Sequence, residues 1–324
     1  MSKAKLGDVA KHAGVSPTTV SRALNNRGYM SDKTKERINK AMQELNYFPN
    51  EVARSLHGGK TNLVGLLFPN VTNPFYGEIV TEIENALGQR GYKSLLCNTY
   101  NNPKQEEQYL NMLLANQVDG IIVGSRTKPS NVYQKANLAV VAIDRIISAK
   151  VPIVRSDNYA GACLATQYLI DQKFKRIALF TGSSKEEIEK GDLRVEGYID
   201  TTKKHNLPQT ICHIDFEQED MYQKQRVLQF LTQNPKTDAI FATGDVLAGI
   251  VQGCTQDLGL KIAIVGYDGS KVFQNLCTNI STIRQPIEDM AKLAVDLTLD
   301  AIAGNFQKEN KEFVLPVSLI KRSI

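Results

Sequence analysis

The chain has 324 residues, 42% hydrophobic and 23% charged, which points to two or three folding units of ordinary globular composition. No apolar run approaches the roughly 18–20 residues that span a membrane. The opening MSKAKLGDVAKHAG lacks a signal-peptide apolar stretch, which fits a cytoplasmic protein. Cys97, Cys163, Cys212, Cys254 and Cys277 are far apart and form no CxxC pair, so free thiols packed in a core are expected rather than disulfides or a metal site. Charge is uneven. Residues 1–60 carry 11 Lys/Arg against 5 Asp/Glu, a net of +6, and the remainder is at −1. The whole positive excess therefore lies in the first sixty residues, as phosphate binding requires.

In chain order, Leu6, Val9, Ala10 and Ala13 fall on one face of a first helix. Gly14 can take the left-handed conformation that ends it. Ser16 is a good N-cap for a second helix and Pro17 suits its first position. With Val20, Ala23 and Leu24 inward, Pro17, Thr18, Thr19, Ser21 and Arg22 face out: short hydrogen-bonding side chains and one guanidinium. Such a face suits the DNA major groove, where Arg reads guanine. A third helix, capped by Ser31, buries Ile38, Ala41, Met42 and Leu45. Most of its Lys33, Lys35, Arg37 and Lys40 are expected to be solvated charge. Residues 50–56 form a segment with Asn50 as cap and Glu51 at the positive end. It is well under the roughly 12–15 residues of a marginal isolated helix, so it needs a partner to fold. The minor groove of bent DNA is a suitable partner, with Leu56 as an apolar wedge.

From residue 61 the pattern alternates. Strand-like runs occur at 63–68, 94–97, 120–123, 138–143, 176–180, 238–242 and 262–266, with helix-length amphipathic stretches at 75–90, 103–116, 158–172, 218–233 and 245–258. This order predicts a doubly wound α/β core with parallel sheets. One set of units fills 61–157 and another 158–284, followed by a helix at 286–303 and a strand-like run at 312–320. The domain plan is a small all-α headpiece at 1–48, a hinge helix and linker at 49–60, and a two-lobed α/β core at 61–324. Its first lobe takes about 61–157 plus 286–311, and its second about 158–285 plus 312–324.

Catalytic signatures are missing: no GxGxxG follows the first strand, and there is no Walker loop, HExxH or GxSxG. His12, His57, His205 and His213 are too scattered for a metal or a triad, so neither an enzyme nor a cofactor is expected. Polar residues do stand where strands end, the place at which open α/β sheets bind ligands. They are Asn73, Phe75 and Tyr76 after the first strand, then Ser125, Asp144-Arg145, Asp245 and Asp268, with Arg194 and Gln285 nearby. Carboxylates and guanidiniums bind neighbouring hydroxyls in pairs, and aromatic faces pack on sugar rings, so a sugar or sugar phosphate is the expected ligand. Helix capping is the alternative for several of these positions.

The segments DVAKHAGVSPTTVSRALN and NYFPNEVARSL resemble the headpiece and hinge helix of the LacI/GalR (lactose/galactose repressor) family of bacterial transcription regulators. VDGIIVGS, VGYDGS and TIRQP resemble its periplasmic-binding-protein-like core. The resemblance implies that Thr18, Thr19, Ser21, Arg22 and Asn25 sit at a pseudo-palindromic double-stranded operator, with Ala53, Arg54 and Leu56 in the minor groove. The caps Ser16 and Asn50 complete that set. It also implies a homodimer whose effector lies between the lobes. Pro17 departs from the polar residue often found at its position, and Gly244 stands where the family offers an amide. GYMSDKT, NNPKQEEQYLNMLLANQVDGII and FVLPVSLI are similar to the sucrose-operon regulators of Gram-positive bacteria. A ribose-operon repressor and a global catabolite regulator answering to a phosphorylated carrier protein are the alternatives. With no heptad segment after Ile320, a dimer rather than a coiled-coil tetramer is expected.

Overall fold

Among the described residues of the computed structural model, the N-terminal unit has three helices: α1 (Leu6–Ala13), α2 (Pro17–Leu24) and α3 (Asp32–Glu44). The described residues are 4–24, 28–48, 60–124, 133, 138–148, 150–183, 191–216, 218–305 and 312–322. The hinge segment at 49–59 lies outside them. They fall into two compact units, Met1–Asn62 and Leu63–Ile324.

The headpiece closes on Val9, Ala10, Ala13, Val20, Ile38 and Ala41, the apolar faces that the spacing predicts. Gly14 adopts φ 62° and its N–H returns to the last turn of α1, which swings the chain into α2. Ser16 Oγ accepts from Thr19 N–H at 3.1 Å and caps α2. Two expectations for α3 change. The Ser31 hydroxyl bonds Thr34 Oγ1 at 2.9 Å instead of a backbone N–H, because the neighbouring hydroxyl is nearer to hand. Arg37 is not merely solvated: it donates to the carbonyls of Ala13 and Gly14, which α1 leaves unpaired at its end. His12 Nε2 and Glu44 Oε2, 2.6 Å apart, pin α1 to α3 a second time.

The second unit follows the alternating pattern. Its first part runs β1 (Leu63–Phe68), α4 (Pro74–Gln89), β2 (Lys93–Asn98), α5 (Pro103–Ala115), β3 (Gly120–Val123), β4 (Ala139–Ile143) and β5 (Ile153–Ser156). Its second part runs α6 (Asn158–Asp171), β6 (Ile177–Thr181), α7 (Leu193–Lys204), β7 (Thr210–His213), α8 (Asp220–Gln233), β8 (Ala239–Ala242), α9 (Asp245–Asp257), β9 (Ala263–Asp268), α10 (Lys271–Leu276) and β10 (Ser281–Arg284). Then come α11 (Ile287–Ile302), β11 (Glu312–Leu315) and β12 (Ser318–Ile320). Two six-stranded sheets result, ordered β11-β5-β4-β3-β1-β2 and β12-β10-β9-β8-β6-β7. Every pairing is parallel except β10 with β12. Helices cover both faces of each sheet. In the first lobe α4 and α11 close one face through Ile79, Ile83, Met290 and Ala294, and α5 closes the other through Leu110 and Leu113. Cys97, Cys212 and Cys254 are buried and all five cysteines are free.

The run at 312–320 is not one strand of the second lobe. Pro316 has no N–H to extend the ladder, and the chain breaks there. Glu312–Leu315 joins the first sheet beside β5, and Ser318–Ile320 joins the second beside β10. The chain therefore crosses between lobes near 157, 286 and 316.

The headpiece core is small, and Ile38 is 1% exposed within it. Ile38→Ala is expected to cost about 2–5 kcal/mol, enough to unfold the headpiece alone. Differential scanning calorimetry should then lose the headpiece transition while the core transition stays in place.

Candidate functional site

In the headpiece, Thr18 and Arg22 are exposed on α2, with Thr19 and Ser21 half-buried beside them. The Thr19 hydroxyl is 2.8 Å from Ser16 Oγ, so the first turn of the helix holds these two side chains in a fixed relation. Asn25, Asn50, Ala53, Arg54 and Leu56 lie outside the described residues. The exposed face of α2 thus joins one guanidinium to short hydroxyl side chains. Such a set is chemically suited to hydrogen bonding with base edges.

In the core, strand ends and helix starts of both lobes meet at one guanidinium. Arg194 is the second residue of α7, held there because Asp192 caps the helix by accepting from the N–H groups of Arg194 and Val195. Its side chain is only 11% exposed. The guanidinium carbon lies 3.9 Å over the centre of the Tyr267 ring. Nε donates to Asn158 Oδ1 at 2.8 Å, and Nη1 to the Thr243 carbonyl at 2.6 Å. Asp144 Oδ2 stands 3.6 Å from Nη2, and Asp268 Oδ1 3.7 Å from Nη1. Asp144 follows β4 of the first lobe, whereas Asp268 ends β9 of the second. Both take positive-φ backbone conformations, 59° and 97°, of the costly kind that clusters at ligand sites. Burial keeps the Tyr267 phenol well above its usual range, so the ring under the cation stays neutral.

Gln285 sits behind these groups, fully buried. Its Nε2 donates to Asp268 Oδ1 at 2.7 Å, and its Oε1 accepts from Ser156 Oγ at 2.7 Å. Asn158 also reaches the first lobe, donating to Asp144 Oδ1 at 2.9 Å. Asp144, Arg194, Asp268 and Gln285 are therefore gathered from distant parts of the chain, and Arg145 is half-buried next to Asp144. Ser125 lies outside the described residues.

Three expected ligand contacts have other work. Phe75 is 5% exposed and packs in the first-lobe core, since α4 turns that face of its first turn onto the sheet. Its neighbour Tyr76 is half-buried, with its ring edge-on to Phe68 and Phe75. Asn73 caps α4, its Oδ1 accepting from Phe75 N–H at 3.0 Å. Asp245 is 1% exposed and both of its oxygens are bound internally: Oδ2 by Ser270 N–H at 2.9 Å and Ser270 Oγ at 3.2 Å, Oδ1 by Thr282 Oγ1 at 2.8 Å. It fastens the loop after β9 instead of facing a ligand. Conversely, Tyr267, Ser156 and the Thr243 carbonyl were not in the expected set, and Asn158 stood only among the polar residues that follow strands. Asn158 and Thr243 carry only the weak signal of standing next to strand ends.

Among the described residues no group of His, Cys, Asp and Glu side chains is arranged to hold a metal ion, and no helix is long and apolar enough to cross a membrane. The arrangement presents a cation flanked by two carboxylates and an amide over an aromatic ring. Such a set offers paired donors and acceptors to adjacent hydroxyls, and none of its members is placed as a nucleophile with a general base.

Comparison with known proteins gives two family matches. Residues 5–50 match the bacterial regulatory proteins of the lacI family, and residues 61–304 match the periplasmic binding proteins and sugar binding domain of the LacI family. The chain is 41% identical to the sucrose operon repressor of Pediococcus pentosaceus, over 98% of both chains. It is 40% identical to that of Lactococcus lactis subsp. lactis over 97% of this chain and 98% of the relative. Identity to the ribose operon repressor of Bacillus subtilis (strain 168) is 36%, over 98% of both. Among solved structures, the Lac repressor dimer bound to operator and the anti-inducer ONPF superposes with a TM-score of 0.82 at 25% identity, covering 99% of this chain and 98% of that one.

Burial, with the nearby charge of Asp268, pushes the Asp245 carboxyl up to about 8 from an ordinary 3.8, against the lowering effect of its hydrogen bonds. The folded state therefore holds this proton more tightly than the unfolded chain does. Its stabilising effect is complete below about pH 4 and is lost as pH rises towards 8. Asp245→Asn removes that dependence. Denaturant unfolding of the core from pH 5 to pH 8 should show the variant gaining on the wild type as pH increases.

Proposed function

This chain belongs to the LacI family of bacterial regulatory proteins, and we propose that it controls an operon for sucrose utilisation through a sugar or sugar phosphate held at Arg194 between the core lobes. It is a sequence-specific DNA-binding transcriptional repressor, responsive to a sugar, and it is not an enzyme. Sucrose is preferred over ribose because full-length identity is higher to the sucrose operon repressors, at 40–41%, than to the ribose one at 36%.

The observation that carries the reading is the spacing around Arg194. At 3.6 and 3.7 Å, the guanidinium is too far from Asp144 and Asp268 for ideal direct hydrogen bonds. A sugar hydroxyl seated beside both, off the line that joins them, can accept from the guanidinium and donate to a carboxylate. One ligand then satisfies groups from both lobes at once. Its differential contact with open and closed lobe arrangements is what lets it shift the balance between them.

The DNA side follows from the headpiece. Two copies in a homodimer present two α2 helices to the half-sites of a pseudo-palindromic operator, one in each major groove. The segment at 49–60 links each headpiece to its core and is too short to be stable alone, so it is the element that both DNA and lobe angle can bias. Such a protein works beside the chromosome, in the cytoplasm.

The test is a thermal-shift screen of the full chain against sucrose, fructose, ribose and their phosphates, since a ligand that binds only the folded state raises the melting temperature. One sugar should raise it, and Asp268→Ala should abolish that rise while keeping affinity for a duplex selected by the wild type from a random pool. No shift with any sugar contradicts the reading, as does equal loss of DNA binding in Asp268→Ala. Separately, Arg22→Ala should weaken binding to the selected duplex by about 1–3 kcal/mol and relax base preference at one position, as a bidentate contact to guanine implies. Equilibrium titrations with single-base variants of the duplex read both effects.

A further inference from the structure

A second charged cluster joins the lobes away from Arg194. Glu78 lies on α4 of the first lobe and is 9% exposed in its side chain. Its Oε1 accepts from Arg284 Nη2 at 2.8 Å, and its Oε2 accepts from the backbone N–H of Lys271 at 2.7 Å. Both partners belong to the second lobe: Arg284 ends β10 and Lys271 begins α10. One carboxylate of the first lobe thus grips a side chain and a main-chain group of the second.

The grip is reinforced on each side. Arg284 Nη2 also donates to both oxygens of Glu288, at 3.0 and 2.9 Å, at the start of α11. Its Nη1 donates to the Gly269 carbonyl at 2.7 Å. Gly269 is held at φ 60°, and a methyl group there would lie 2.7 Å from Arg284 Cα, so the loop after β9 sits flush against the arginine. Lys271 Nζ lies 2.9 Å from Glu288, 3.5 Å from Glu82 and 3.8 Å from Glu78. Burial opposes ionisation of Glu288, yet Lys271 and Arg284 hold its carboxyl below the usual range.

Energetics separate the members. Lys271 is 57% exposed, so its ammonium contacts are weak and screened. Arg284 and Glu78 are 15% and 9% exposed, and a buried carboxylate stripped of its partners is costly. Separating the lobes at this edge would break both Glu78 bonds together. The cluster shares no residue with the groups around Arg194, although Arg284 pairs with Asp268 in the sheet and precedes Gln285.

We propose that Glu78 is an interlobe clamp that helps fix the lobe angle of the core and thereby sets the operator affinity from which the sugar response departs. The clamp half stands on the geometry alone, and the operator half rests on the repressor reading above.

Glu78→Gln in the full chain tests it, because the amide keeps the shape but removes the charge and one acceptor. Without sugar or DNA, small-angle X-ray scattering should show a wider lobe separation than in the wild type. Because the pair is buried and little screened, the difference between variant and wild type should persist from about 0.05 to 0.5 M salt. Affinity for the duplex selected by the wild type should change at least about tenfold at fixed salt. If Glu78→Gln does not fold by circular dichroism, Glu78→Asp, too short to reach both partners, replaces it. Unchanged lobe separation overturns the clamp. Wider separation with unchanged duplex affinity overturns its regulatory role, and sugar binding in the thermal-shift screen remains a separate question.

Discussion

A buried guanidinium with carboxylates from two lobes beside it is the constraint on which the core depends. Removing Arg194 from water costs several kcal/mol unless its charge is answered, and the two carboxylates that stand beside it come from different lobes. Asp144 comes from the end of a first-lobe strand. Asp268, Tyr267 and the Thr243 carbonyl come from the second lobe. Asn158, at the crossing between lobes, bonds both Arg194 and Asp144. The favourable state of this one cation is therefore a lobe arrangement, and anything that adds hydroxyls around it alters which arrangement is favoured.

The rest of the core makes that arrangement hinged. The chain passes between lobes three times. At the crossing near 286, Gln285 ties Ser156 of the first sheet to Asp268 of the second in one buried chain of hydrogen bonds. This sets a stiff axis close to Arg194, while Glu78 and Arg284 fasten a separate point. Asp245 serves the same end from behind, holding Ser270 and so the loop that carries Asp268 and Gly269. Burial and Asp268 raise its proton affinity, and the three donors around it work against that rise.

Legibility in the sequence followed how local the physics was. The turn between α1 and α2 was readable because Gly14, Ser16 and Pro17 each act through their own backbone. Uninterrupted apolar strands such as 63–68 and 120–123 were readable because a strand covered on both faces has no polar side. Ile153–Ser156, Thr210–His213 and Ser281–Arg284 were not: each has four residues, mixes polar with apolar side chains, and is a strand only because of its neighbour in the sheet. The candidate site divides along the same line. Asp144 and Asp268 stood out as charges at strand ends, and Arg194 as a charge in the segment GDLRVEGY. Phe75 and Asp245 stood at strand ends too, but the direction of a side chain there is decided by tertiary packing, which turned both inward. Tyr267 lay just past the expected strand at 262–266, and nothing local marked it as the platform beneath a cation. The split of 312–320 between sheets was signalled only by Pro316.

The account's central claim is that one lobe equilibrium serves both ligands, and linkage then requires the coupling to be reciprocal. The most direct measurement is the affinity of the effector sugar with and without saturating operator duplex, set beside the affinity for operator with and without saturating sugar. The account predicts two ratios that are equal and far from one. A sugar that binds with the same affinity whether or not operator is present would contradict it.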